Sequence, residues 1–392
     1  MGVIILLEIK TKIRHAYTTT LISLVVSLVI GLFGGTFLGK YFKKIRSSYP
    51  GLLVILPGMM GLRGNVFGSM ASRFSTMLYL GDLKPSLKDK KILKNVVLGV
   101  ILSLIPVTFL WGIGIIEGIR ENAFEILMIV ISSTILVSVI LGYFTAFVTI
   151  FTFRQGSDPD SVAAPLVASM GDLLTIPSLV AFILLLESTK RGFWMINVFF
   201  VAFLMGVLLV SQIRRGEFFY LRNLFITITF LALLSVISGS LLEKYSPLIQ
   251  KAILLSIAYP ALLSSFGNYG SVIAAKTSTK LHLGEIEGYL SGEMFLEILV
   301  LFTTTPIIGT LINLLAFVIA KYLLGINGEH VKLLILTYPF MALFIMLYAY
   351  TLSYLLFQKN INPDHVAIPL ISNNSDIFGT IYTILIAKLM VG

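Results

Sequence analysis

Apolar runs of about twenty residues follow one another along almost the whole chain, separated by short stretches bearing Lys, Arg, Asp, Gly and Pro. Runs of that length match the hydrocarbon thickness of a bilayer at the rise of an α-helix. They predict helices at about 17–39, 51–80, 91–116, 123–152 and 161–187, and a second set at about 217–241, 250–281, 293–323, 332–357 and 366–391. One more run, "FWMINVFFVAFLMGVLLVS" at about 193–211, lies between the sets. The expected fold is an all-α polytopic membrane protein with about eleven spans in a 5+1+5 order. The first run reads as a full span and not as a cleaved leader, because Lys40, Lys43 and Lys44 follow it where small residues would mark a cleavage site.

Polar positions interrupt this pattern twice in the same way. "PGMMGLRGNVFGSMASRFSTMLYLGD" runs from Pro57 to Asp82, and "PALLSSFGNYGSVIAAKTSTKLHLGE" runs from Pro260 to Glu285. Pro, Gly-Asn, a basic residue, Ser-Thr and Leu-Gly-acid stay in register. A second pair does the same: "DPDSVAAPLVASMGD" ends at Asp172 and "NPDHVAIPLISNNSD" ends at Asp376. Both pairs are offset by about 203 to 204 residues, which identifies a duplicated unit. Five spans per unit is an odd number, so direct fusion would invert the second copy. The run at 193–211 adds one crossing and restores the orientation. The chain is therefore expected to hold two parallel repeats, 1–190 and 215–392, joined by a linking helix at 191–214 and related by a pseudo-two-fold axis along the membrane normal. Such a chain is a fused form of a symmetric dimer.

Composition narrows the function classes. The chain is 57% hydrophobic and 12% charged, with a net charge of +10. Its Lys and Arg sit mostly in short loops, where they report topology and contact with anionic lipid; no nucleic-acid partner is expected. Lys10, Lys12 and Arg14, the group Lys84, Lys88, Lys90, Lys91 and Lys94, and the group Arg214, Arg215 and Arg222 fall on one side. That side is read as cytoplasmic, which places the N-terminus on the cytoplasmic side of a cell membrane; Lys40, Lys43, Lys44 and Arg46 run against the rule. The absence of Cys excludes a disulfide framework and thiolate chemistry. His15, His282, His330 and His365 form no pair at helical ligand spacing, which argues against zinc. No Walker-type loop points to nucleotide hydrolysis.

The chemistry is concentrated in two acids. Asp172 and Asp376 lie about eleven residues inside their final spans, roughly 16 Å deep at the helical rise. An ionised carboxylate at that depth must face protein, water or a cation. A single structural Asp is the plain reading, and recurrence at equivalent positions weighs against it. On a pseudo-two-fold axis the two acids would converge and repel unless a proton or a cation lay between them. Oxygen donors of this kind suit Mg²⁺, Mn²⁺ or Ca²⁺. Two carboxylates are few for a dehydrated calcium cage, whereas Mg²⁺ is often held by one or two acids through its water shell, so Mg²⁺ ranks first.

Other polar residues admit two readings each. Asn65 and Asn268 offer amide oxygens to a hydrophilic path, or they hydrogen-bond between helices. Ser169 and Asn373 join them as secondary path-lining candidates. Gly61, Gly64, Gly267 and Gly270 permit close helix packing. Arg73 and Lys276 read as snorkelling anchors. Ser75, Thr76, Ser278 and Thr279 are expected to bond back to their own helix. Asp158, Asp160 and Asp364 open the final helices as N-caps, or they form an acidic vestibule. Asp158 has Asn362 as its counterpart.

These four motifs, in this order, resemble the MgtE-type divalent-cation transporter domain. The fused arrangement is similar to the solute-carrier branch that carries two such domains in one chain. The resemblance covers nearly the whole chain. It implies a Mg²⁺ pore along the axis between the repeats, with the family's pore aspartate falling on Asp172 and Asp376. It also implies that Ala168 and Ser372, one turn earlier, line the pore through backbone carbonyls. A cytoplasmic N-terminus agrees with the charge pattern. The family's cytoplasmic N-terminal helical domain and CBS pair find no counterpart in these residues, so Mg²⁺-sensing closure of the bacterial kind is not expected. The internal duplication makes a functional monomer the expectation, with a homodimer left open.

Three mechanisms remain at this stage: a Mg²⁺ channel, a Mg²⁺ exchanger coupled to Na⁺, and a proton-coupled solute carrier that uses the same acids as a relay. An enzyme is not expected. Intramembrane aspartyl proteases use two dissimilar aspartate motifs, whereas here both acids sit in one repeated context.

Overall fold

Why the two long motifs close on Leu-Gly-acid is settled by backbone geometry. Gly81 and Gly284 have φ values of 74° and 72°, the left-handed region that a side chain disfavours. Each ends a helix: the Gly81 N–H donates to Leu78 at 3.1 Å, and the Gly284 N–H donates to Leu281 at 3.2 Å. The repeated phrase is a repeated helix stop.

The computed structural model describes residues 2–116, 122–155, 159–211, 222–282, 284–286, 288–289, 291–326, 330–361 and 363–391. The described chain is helical, in the order α1 Gly2–Ser48, α2 Gly51–Tyr79, α3 Lys90–Ile116, α4 Ala123–Arg154, α5 Pro159–Ser188 and α6 Lys190–Ser211. Then come α7 Arg222–Leu234, α8 Val236–Lys244, α9 Ser246–Lys251, α10 Ile253–His282, α11 Gly292–Phe302 and α12 Thr305–Val318, which runs into a π-turn at Ile319–Leu323. The last two are α13 Lys332–Gln358 and α14 Pro363–Val391. No strand occurs among the described residues.

Local chemistry sets these boundaries. Tyr49 precedes Pro50, which disfavours helical backbone and separates α1 from α2. α5 and α14 open on Pro159 and Pro363, whose missing N–H costs nothing at a first helical position. Asn122, at φ 53°, turns the chain into α4 and donates from its amide to the Ser48 carbonyl at 3.0 Å.

Eight helical stretches among the described residues are long and apolar enough to cross a membrane. They are Leu24–Ser48, Gly51–Tyr79, Lys90–Ile115, Ala123–Arg154, Leu166–Ser188, Phe225–Lys244, Gly292–Leu323 and Lys332–Gln358. The protein is an all-α, multi-pass membrane protein. The remaining expected spans coincide with α6, α10 and α14. The last two carry the polar motif residues, which lower their apolarity.

Three expected helices differ in detail. α1 extends well beyond 17–39 at both ends. The stretch expected at 217–241 divides at Ser235 into α7 and α8, and residues 217–221 lie outside the described part. The stretch expected at 293–323 divides near Thr303, where Thr303, Thr304 and Thr305 hydroxyls bond back to the carbonyls of Val300, Leu301 and Phe302 and Pro306 removes a donor.

The described chain divides into two compact units. One holds Phe33–Lys251, the other Ala252 onward together with residues up to Leu32. In the first, α2 is the central helix, packed by α3, α4, α5, α7 and α8. Ala71, Val148 and Ala163 form a small buried cluster there, with Phe144 and Leu166 against it. In the second, α10 packs on α13 and α14, with Phe266 stacked on Tyr338 at 5.1 Å between ring centres. The units therefore differ from the sequence repeats in where their first helices go. Residues up to Leu32 pack with the second copy's remaining helices, and α7–α9 pack with the first copy's.

Candidate functional site

In the first unit, Asp172 sits on α5 where that helix crosses α2. Gly64 of α2 faces Ala168 of α5, and a β-carbon on Gly64 would lie 3.6 Å from the Ala168 side chain. On α1, a β-carbon on Gly34 would lie 3.3 Å from the Asp172 carbonyl oxygen. Small residues thus bring three backbones close to the acid. Asp172 and Asn65 are both half-buried, and Ser169 is buried.

The second unit repeats this crossing. Gly267 of α10 faces Ser372 of α14, with the Ser hydroxyl 3.7 Å from a β-carbon built on the glycine. Gly64 and Gly267 are register equivalents, and so are Ala168 and Ser372. Asp376, Asn268 and Ser372 are half-buried, and Asn373 is buried. The Asp376 carbonyl accepts from Thr380 at 2.7 Å. Thr380 also meets the Tyr259 hydroxyl at 2.9 Å, which brings that phenol within electrostatic reach of Asp376. Asn374 donates to Tyr348 at 2.5 Å.

The acidic mouth is only partly described. Asp160 and Asp364 stand in the first turns of α5 and α14, with side chains outside the described part. Asp158 lies outside the described residues altogether. Among the described residues no group of three or more His, Asp or Glu side chains gathers as a metal cluster.

The basic residues behave in different ways. Lys276 reaches Glu297 of α11 at 2.5 Å, and Lys280 reaches Glu293 at 2.9 Å, so the second copy's basic residue ends on a carboxylate as well as near the helix end. Ser75 departs from expectation: its hydroxyl is buried and makes no hydrogen bond among the described residues.

Arg63 was not picked out by sequence reasoning. It is 1% exposed and is the one charged side chain fully buried among the described residues. Its Nη1 donates to the hydroxyl of Thr175, which itself donates to the Gly171 carbonyl at 2.6 Å. Thr175 stands one turn beyond Asp172, and the charges of Arg63 and Asp172 act on one another. The available signal was an Arg twelve residues inside α2, ten residues before the next charge, Arg73. The register equivalent of Arg63 is Phe266, and that of Thr175 is Gly379. A β-carbon on Gly379 would come within 3.2 Å of the Phe266 ring. The two copies thus share their helix crossing but not their charge beside the acid.

The profile of the MgtE family, described as a divalent cation transporter, matches residues 56–182 and 259–386. Each segment includes one helix crossing and one of the two acids. The chain is 25% identical to human solute carrier family 41 member 2 over 266 residues, 64% of this chain and 45% of that protein. It is 23% identical to rat solute carrier family 41 member 3 over 359 residues, 84% of this chain and 77% of that protein. The chain spans about half the length of the member 2 relatives, the chicken protein included. No solved structure matches.

Proposed function

The chain belongs to the MgtE family of divalent cation transporters, and from that premise we propose that it carries Mg²⁺ across a cell membrane, with Asp172 and Asp376 as the ion-binding carboxylates. The observation that carries the reading is the doubled match. Both acids fall inside matched segments, at register-equivalent positions, each on a helix drawn against its neighbour by small residues. The pairing of the two acids on one ion, on a path along the axis of two parallel repeats with eleven spans, rests on the sequence duplication.

The chemistry favours Mg²⁺ over other cations. The donors are carboxylates, amides, hydroxyls and carbonyls, which are hard oxygen ligands. Few carboxylates and abundant neutral oxygens suit an ion that keeps most of its water. Asn65, Asn268, Ser169, Asn373 and the carbonyls of Ala168 and Ser372 then serve as contacts to that water shell. Asp158, Asp160 and Asp364 raise the local cation concentration at the mouth.

The deciding experiment is Mg²⁺ flux into proteoliposomes holding the purified chain, with and without an opposing Na⁺ gradient. Flux that follows the Mg²⁺ gradient and voltage alone identifies a channel-like path. Flux that reverses with the Na⁺ gradient identifies an exchanger. Folded protein without Mg²⁺ flux in either condition overturns the reading and turns attention to a proton-coupled carrier.

A further inference from the structure

A fully buried guanidinium is costly unless an opposite charge and hydrogen bonds compensate it. Arg63 has Asp172 as that charge, and Thr175 holds one of its nitrogens. The Thr175 hydroxyl donates to Gly171 and accepts from Nη1, so its orientation is fixed. A β-carbon on Gly171 would stand 3.4 Å from the Arg63 β-carbon, which fixes the root of the side chain against α5 as well. The other terminal nitrogen, Nη2, is buried and makes no hydrogen bond among the described residues. The cation is thus anchored on one side and has unused donor capacity on the other.

We propose that Arg63 is a tethered cation that competes with the transported divalent ion for Asp172 and thereby sets the ion affinity of the first copy. This inference rests on Asp172 being an ion-binding group. A divalent ion arriving at Asp172 meets a carboxylate already in the field of a fixed positive charge, and it must act against that charge. Binding is weakened and release is correspondingly faster, which suits a path that an ion must both enter and leave. With Phe266 at the equivalent position, this device belongs to the first copy alone. Arg63 is a positioning and affinity-setting residue, not a ligand.

The test is a Mg²⁺ titration of the melting temperature of the purified full chain, at constant ionic strength held with Na⁺, which yields an apparent affinity. Wild type, Arg63→Gln, Arg63→Lys, Thr175→Val and the double variant Arg63→Gln/Asp172→Asn are compared. Arg63→Gln is expected to tighten the apparent Mg²⁺ affinity by about five- to a hundredfold, the usual range of coupling between two sites. Arg63→Lys, which keeps the charge, stays within about threefold of wild type. The double variant loses the gain, because the gain acts through the acid. Thr175→Val frees Nη1 to turn toward Asp172 and weakens Mg²⁺ by about fivefold, a shift that is read whether or not Arg63→Gln folds. A folded Arg63→Gln with unchanged or weaker affinity overturns the inference alone, as does an unchanged or tighter Thr175→Val. A wild type whose melting does not respond to Mg²⁺ overturns the ion-site reading and this inference with it.

Discussion

Gly239 packs so closely on Val54 that a β-carbon added to it would lie 1.6 Å from the Val54 carbonyl oxygen. The contact joins α8 to α2, the central helix of its unit. The obstacle is backbone, so no rotamer change relieves it. Gly239→Ala is expected to cost at least about 2 kcal/mol, and to lower the melting temperature of purified protein or prevent its accumulation in the membrane. Gly206, which has nothing within 4 Å of such a β-carbon, is the control: Gly206→Ala leaves melting unchanged or raises it slightly through helix propensity.

The paired crossings at Gly64–Ala168 and Gly267–Ser372 make a graded prediction. A β-carbon on either glycine meets its neighbour at ordinary contact distance, 3.6 and 3.7 Å. Ala at these positions is therefore tolerated, and it can add up to about 1 kcal/mol of helix propensity. Leu cannot fit between the helices and separates α2 from α5, or α10 from α14. Gly64→Leu and Gly267→Leu are each expected to reduce Mg²⁺ flux per folded protein by about tenfold or more, while the Ala variants retain it. Equal flux in all four would show that these crossings do not shape the path.

Loop chemistry gives a pH prediction away from the membrane. Asp89 accepts from the Lys91 N–H at 2.9 Å and from the Lys84 N–H at 3.1 Å. These bonds, the Lys91 one foremost, hold its carboxyl below the usual carboxylate range. A lowered folded-state value means that the loop's stabilisation is complete above the unfolded carboxylate range and is lost as pH falls through the lower folded value. Amide exchange at Lys84 and Lys91, normalised for intrinsic rates, should lose protection on acidification. In Asp89→Asn it should already be reduced at neutral pH and show no further acid step. Protection that is independent of pH in the wild type would contradict this account.

How much of this was legible in the sequence depends on the kind of signal. Long apolar runs located nearly every helix, because length and apolarity are local properties. The repeated motifs marked the two acids and the glycines, and the structure gives Gly64 and Gly267 matching neighbours in their units. The break at Ser235, whose hydroxyl bonds back to the Leu231 carbonyl at 3.0 Å, was invisible in a run of uniform apolarity. So was the association of α7–α9 with the first copy's helices. The motifs stand out by what the two copies share, and Arg63 is what they do not share. A charge with no counterpart in the duplicate was the signal to weigh. The acids at the helix mouths, Asp158, Asp160 and Asp364, keep their sequence-based reading, because their side chains are not described.

The central claim is that the two acids carry the ion, and the most direct test is Mg²⁺ flux in proteoliposomes for Asp172→Asn, Asp376→Asn and the double variant beside wild type. Each Asn variant keeps the shape of the side chain and removes its charge. Each single variant is expected to lower flux by about tenfold or more, with the double variant at background and all three retaining helicity and monodispersity. Wild-type Mg²⁺ flux through a folded double variant would contradict the account.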